Sequence, residues 1–207
     1  MRYDGMDAAL KTRSAPDSPR PSRPGRGETQ ALLRAVETHD RCTARHSYDV
    51  LGLARCVARA LGQPAAKVAE VEQVALLHDV GKLAIPHTIL SKAGPLSEEE
   101  WGVMRGHAAA GADAVAQASE LAHLAPAVRA SHERWDGTGY PDGLAGTDIP
   151  ITSRITFVCD AYDAMTSDRP YRAALSKDGA VAELRGGSGT QFCPRAVAAL
   201  CAVLGTN

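Results

Sequence analysis

Residues 75–86 read ALLHDVGKLAIP, an apolar helical pattern that runs into two polar neighbours. Apolar residues at helical spacing, Val68, Val71, Val74 and Ala75, lead into His78 and Asp79, and the pattern breaks at Gly81 before Lys82. Consecutive side chains on a helix diverge by about 100°, so this pair addresses two different points in space. A buried carboxylate at that position is costly unless a cationic side chain or a metal meets it.

The same situation recurs on both sides of the stretch. Upstream, Val50, Leu53, Ala54, Val57 and Leu61 share a helix face with His46, and Gly62 with Pro64 ends that helix. Downstream, Ser97 and Glu100 read as a capping box, with Leu96 set to staple against Trp101. The helix they open carries Val103, Met104, His107, Gly111, Ala114 and Val115 on one side, so His107 is expected to face inward. A shorter helix from Leu124 to about Glu133 places Val128 and His132 four apart. A loop dense in turn steps follows, WDGTGYPDGLAGTDIP, residues 135–150. Pro150 then opens a helix with Ile151, Ile155, Val158, Tyr162 and Met165 on one stripe and Asp160 on another side, near Phe157 and Ala164. Two more helices, at about 176–185 and 194–204, close the chain. No convincing period-two alternation interrupts this, and the fold class expected is all-α, a helical bundle.

The 207 residues suit one domain. A Pro-, Ser- and Arg-rich leader, residues 1–27, reads as a disordered basic tail before a domain at 28–207. Hydrophobic and charged shares of 44% and 23% are those of a globular protein, and no apolar run is long enough for a membrane span. A net charge of -1 and an aromatic share of 4% argue against DNA or RNA as a partner. Five scattered cysteines without a CxxC pair suggest neither a disulfide framework nor a thiolate zinc site, and a reducing cytoplasm fits them.

His46, His78, Asp79, His107, His132 and Asp160 all lie among apolar or small neighbours. One histidine on an apolar face is usually a hydrogen-bonded core residue. Six such side chains from five expected helices point instead to a shared cation site, in which Asp79, with two oxygens, can bridge two divalent ions. Imidazole and carboxylate without thiolate suit iron or manganese better than a structural zinc, with zinc and nickel also open.

Five segments carry a family resemblance: DRCTARHSYDV (40–50), LLHDVGKLAIPHTIL (76–90), MRGHAAAG (104–111), SHERWDGTGYPDGLAGTDIP (131–150) and CDAYDAMTSDRPYR (159–172). From Asp40 to the C-terminus the chain resembles the HD-GYP branch of the HD-domain metal-dependent phosphohydrolases. The resemblance implies an HD-domain bundle with C-terminal extension helices. It also implies hydrolysis of cyclic di-GMP to linear pGpG or on to GMP by a hydroxide held between two metals. His46, His78, Asp79 and Asp160 match ligands of a first metal; Asp79, His107 and His132 match ligands of a second. Lys82 matches a lysine near the phosphate and, with Asp79, would act in catalysis. Tyr140 and Pro141 belong to the GYP loop beside the substrate, and Arg169 and Arg172 match bases that hold its phosphates. Asp163 is expected to orient a ligand.

Four positions depart from the family pattern, and two of them, His87 and Cys193, each standing where an aspartate is usual, lie outside the ligand set. Ser131 stands where a histidine is usual, which implies a weaker second ion that a Ser131→His change would tighten. Cys42 stands where members with a third metal carry a glutamate, so at most two metals are expected. Two other readings stay open: a module that binds a cyclic dinucleotide or a signalling protein through the GYP surface without catalysis, and a phosphohydrolase for another nucleotide such as cyclic GMP-AMP.

Overall fold

The computed structural model describes residues 26–168 and 173–206. Among them the chain is helical throughout, with two isolated β-bridges and no β-strand. The expected all-α class holds. Most of the tail and both Arg169 and Arg172 lie outside the described residues.

The centre of the bundle is a hairpin of α2 (Arg41–Ala60) and α3 (Ala65–Leu77), preceded by α1 (Arg26–His39). The turn between them uses Gly62 at φ 70, a left-handed conformation that costs glycine little. α3 is apolar on more than one side, and the structure shows why. Val71 and Ala75 join a core with Val50 and Val57 of α2, Ile155 and Val158 of α8 (Ile151–Thr166), Leu184 of α9 (Lys177–Gly186) and Leu200 of α10 (Pro194–Leu204). Val74 and Leu77 instead join a second core with Val36, Val115 and Val128. Each fully buried side chain of this size contributes about 1.5–3 kcal/mol, so α3 is held from both sides and its C-terminal end is fixed between the two cores.

Two further differences from the sequence reading concern the middle of the chain. The helix expected from Ser97 onward has the Ser97–Glu100 capping box but is interrupted at Gly106, giving α5 (Glu98–Arg105) and α6 (His107–Gln117), after the short α4 (His87–Leu90). The Gly106 amide reaches back only to Val103, a tightened turn that rotates α5 relative to α6. Val103 therefore does not face inward with His107 but is 44% exposed, and Trp101 stays 41% exposed. The helix expected at 124–133 is shorter as well: α7 (Ala125–Arg129) sits between 3-10 turns at Ala122–Leu124 and Ala130–His132.

Gly81 explains the break after the His-Asp pair. α3 ends at Leu77, His78 caps it, and Asp79 leads into a 3-10 turn, Val80–Ala84. A Cβ on Gly81 would lie 1.9 Å from the His107 carbonyl oxygen and 2.4 Å from the Gly111 amide nitrogen. The backbone of α6 thus passes directly over this turn, and only glycine permits the approach that sets His107 beside Asp79.

Candidate metal centre

Four separate stretches of backbone aim imidazoles at one carboxylate. Asp79 is 2% exposed, and its Oδ1 lies 3.3 Å from His107 Nε2 and 3.8 Å from His132 Nε2. Its Oδ2 lies 3.4 Å from His78 Nε2 and accepts from Lys82 Nζ at 2.6 Å. The donor atoms fall into two sets that share Asp79: His46, His78 and Asp79, and Asp79, His107 and His132. Asp160 joins the first set through His46, whose Nε2 is 2.8 Å from Asp160 Oδ1.

The imidazoles are held by their far nitrogens. His78 Nδ1 donates to the Ala75 carbonyl at 2.8 Å, and His107 Nδ1 donates to the Met104 carbonyl, near the end of α5, at 2.7 Å. A carbonyl can only accept, so in each ring the proton sits on Nδ1 and Nε2 presents its lone pair to the centre. His107 Nε2 and His132 Nε2 are 2.9 Å apart, a spacing that calls for a proton or a cation between them. His46 is clamped from α8 on both sides, with Nδ1 2.5 Å from Asp163 Oδ2. Asp163 is thus placed as expected, behind a donor residue and not among the converging atoms. An imidazole so backed by a carboxylate is a stronger and better-oriented donor.

Burial and charge act in opposite directions here. Burial pushes the Asp79 carboxyl up, but Lys82 and His78, with the imidazoles of His107 and His132, outweigh it and hold it well below the usual carboxylate range. Burial also opposes charge on His46, yet Asp160 and Asp163 raise it to about 10, and Asp160 in turn is held at about 2 despite its own burial. Burial lowers His132, helped by the neighbouring His107 and opposed by Asp79, which favours the neutral imidazole that ligation needs.

A divalent cation fits this donor set. His78 Nε2 and Asp79 Oδ1 are fully buried and have no hydrogen-bond partner among the described residues. Buried polar atoms are seldom left so, and a cation held among these imidazole and carboxylate atoms would satisfy both.

The GYP loop closes one side. The Tyr140–Pro141 bond is cis, the Tyr140 amide donates to the His132 carbonyl at 3.3 Å, and the Tyr140 ring stacks on the His132 imidazole. Burial first, then Asp79 and Asp160, push the Tyr140 hydroxyl up, so it stays protonated. Gly139 is required because a Cβ there would lie 2.3 Å from the Arg134 amide nitrogen. Glu133, which the sequence reading did not single out, holds the loop from beneath: it is buried, and its Oε1 accepts from the amides of Asp142 and Gly143 at 2.7 and 3.0 Å. The available signal was an acid next to a candidate ligand, immediately before a loop full of turn amides.

Ser131 is buried and its hydroxyl donates to the Val128 carbonyl. It belongs to neither donor set. The side chain of Cys42 is outside the described ones.

An HD-domain family model matches residues 29–195. The chain belongs to the HD-domain family. Among curated HD-domain relatives, it is 41% identical over 171 residues to the cyclic di-GMP phosphodiesterase response regulator RpfG of Xanthomonas campestris, covering 82% of this chain and 45% of that protein. It is 38% identical over 170 residues to the 3'3'-cGAMP-specific phosphodiesterase 3 of Vibrio cholerae, covering 82% of this chain and 37% of that one. The chain therefore spans less than half the length of either relative. A solved cyclic GMP-AMP-specific phosphodiesterase from V. cholerae superposes with a TM-score of 0.55 at 32% identity, over 86% of this chain and 40% of that one. An HDG"Y"P protein from Bdellovibrio bacteriovorus shares the fold, with a TM-score of 0.66 at 22% identity over 85% of this chain and 57% of that one.

Proposed function

We propose that this HD-domain protein is a metal-dependent phosphodiesterase that opens cyclic dinucleotides, with cyclic di-GMP as first substrate and pGpG or GMP as product. The observation that carries the reading is the single carboxylate, Asp79, shared by two buried donor sets. A carboxylate so shared could hold two cations together, an arrangement that serves in-line displacement at phosphorus by stabilising both the attacking and the leaving oxygen. The names of the relatives, cyclic di-GMP and 3'3'-cGAMP phosphodiesterases, support the substrate class.

His46, His78, Asp79 and Asp160 would hold one divalent ion; Asp79, His107 and His132 would hold the other. Iron and manganese fit the imidazole and carboxylate donors best. Bound there, such ions supply a water acidic enough to serve as nucleophile near neutral pH and polarise a phosphoryl oxygen. The chain's own residues supply position and charge. Lys82, partly exposed and ion-paired to Asp79, keeps that carboxylate ionised and adds positive charge where a phosphate would approach. Tyr140 forms a wall of the site by stacking on His132, which fixes the ring, and Pro141 is assigned to the substrate side of the same loop. Arg169 and Arg172 are assigned to the substrate phosphates, as their segment implies. The cytoplasm, where cyclic dinucleotides are signals, is the compartment proposed.

Protein purified without oxygen and supplied with Fe(II) or Mn(II) should convert cyclic di-GMP to a linear product separable by chromatography, and Asp79→Ala should abolish both turnover and bound metal. Undiminished hydrolysis by Asp79→Ala would refute the reading. Competition between cyclic di-GMP and 3'3'-cyclic GMP-AMP would rank the substrates, since both kinds of phosphodiesterase occur among the relatives.

A further inference from the structure

Beside the donor clusters lies a groove of about 420 Å³ lined by His132 and Tyr140 together with Phe157, Gln191 and two residues of α5 that the mechanism above leaves unused, Trp101 and Arg105. Its volume is within the range of about 300–1,000 Å³ usual for small-molecule sites. The groove and the metal centre share His132, so a ligand in one reaches the other.

The chemistry of a cyclic dinucleotide makes two demands beyond the metals. The molecule carries two phosphodiesters on opposite sides of one ring, together with two purines. With one phosphodiester at the donor clusters, the other is a buried or half-buried anion in need of a cation, and at least one purine needs an apolar face. Arg134, which also lines the groove, has its guanidinium committed to Asp136 and Thr138. Arg105 has no carboxylate partner among the described residues; its guanidinium lies over the Trp101 ring, 5.9 Å from the centroid. Trp101 is one of only two tryptophans in the chain, and it leaves 41% of its surface uncovered at the rim of this groove. A large aromatic left open next to a free cation marks a ligand surface more than a packing defect.

We infer that Trp101 and Arg105 form the distal half of the substrate site: Trp101 stacks one purine, and Arg105 meets the phosphodiester that is not cleaved. This rests on the reading of the protein as a cyclic-dinucleotide phosphodiesterase. It assigns α5, which carries none of the metal donors, to substrate discrimination. The interruption at Gly106 leaves Trp101 and Arg105 lining the groove while His107 lies beside Asp79.

The test uses the full chain, Mn(II) for turnover and Ca(II) for equilibrium binding, with cyclic di-GMP and 3'3'-cyclic GMP-AMP as probes. Loss of a base-stacking platform should raise KM and Kd about tenfold or more in Trp101→Ala. Trp101→Phe should recover most of that loss, whereas Trp101→Leu, apolar but without a π face, should not. Arg105→Ala should raise KM by a similar factor and flatten its dependence on ionic strength. Val103→Ala, exposed on the same helix outside the groove, should keep wild-type constants and so controls for damage to α5. If the wild type turns over either probe while Trp101→Ala and Arg105→Ala keep KM within about twofold, the groove assignment falls and the phosphodiesterase reading stands. Equal rescue by Leu and Phe would overturn the stacking role. Binding without turnover, lost in both alanine variants, would remove the catalytic reading and leave the groove; a wild type that neither binds nor cleaves either probe would end both.

Discussion

Tyr140 lies flat on His132, with ring centroids 5.3 Å apart and planes within 10°. A loop residue thereby packs against one of the imidazoles that converge on Asp79, and whatever holds the loop also holds the ring. What holds it is Glu133, through the amides of Asp142 and Gly143, aided by the paired contacts of Arg129 to Asp142 at 2.7 Å.

Glu133→Ala should leave two loop amides without their acceptor, at a cost of about 1–3 kcal/mol, and should loosen the Tyr140 stack. The melting temperature should fall and KM for a cyclic dinucleotide should rise. Glu133→Gln keeps an acceptor oxygen and should recover most of both. An alanine variant that matches the wild type in calorimetry and in KM would show that the loop is held by other means.

Asp163→Asn removes the charge behind His46 while keeping the shape. Loss of such a supporting carboxylate typically weakens metal affinity by about 10–100-fold. Metal content after dialysis against graded chelator, read by mass spectrometry, should show this drop with little change in the helical circular dichroism. Unchanged affinity would mean that His46 needs no carboxylate behind it.

Gly81→Ala has no space: the added carbon meets the backbone of α6, which cannot swing aside as a side chain would. The expected loss exceeds the roughly 1–3 kcal/mol of ordinary overpacking, and the Asp79, His107 and His132 set should lose metal first. Gly52→Ala, on α2 with nothing within 4 Å of the added carbon, should instead stabilise by up to about 1 kcal/mol. Thermal melts of the two variants should move in opposite directions; a shared direction would contradict the close approach of α6 to the 80–84 turn.

Acid should release the GYP loop. The Asp142 carboxyl is held below its usual range by Arg129, and that of Asp136 by Arg134 and Thr138. A carboxyl depressed in the folded state adds stability above its unfolded pKa, near 4, and that stability is lost as pH falls through the folded value. Both groups are exposed, so the effect is modest and salt should shrink it. The stability difference between wild type and Arg129→Met, from urea denaturation, should be present at pH 6 and fade as the pH drops below about 4. A difference that is constant with pH would rule out the Asp142 pair as its source.

Several features were legible in the sequence because the physics behind them is local. Apolar spacing located α2, α3 and α8; the Ser97–Glu100 pair marked the start of α5; and histidines and aspartates set among apolar neighbours marked the donors that the fold collects around Asp79. Other features depend on contacts between segments far apart in the chain. The approach of Gly81 to Gly111, the bonds from Glu133 to loop amides and the facing of Trp101 toward Tyr140 each depend on where a second segment comes to rest. Backbone amides have no residue identity, so no pattern of letters announces that Glu133 will accept from them. The turn at Gly106 is of the same kind: one tightened hydrogen bond in a helix that looks continuous separates the side chain that faces Asp79 from those that line the groove.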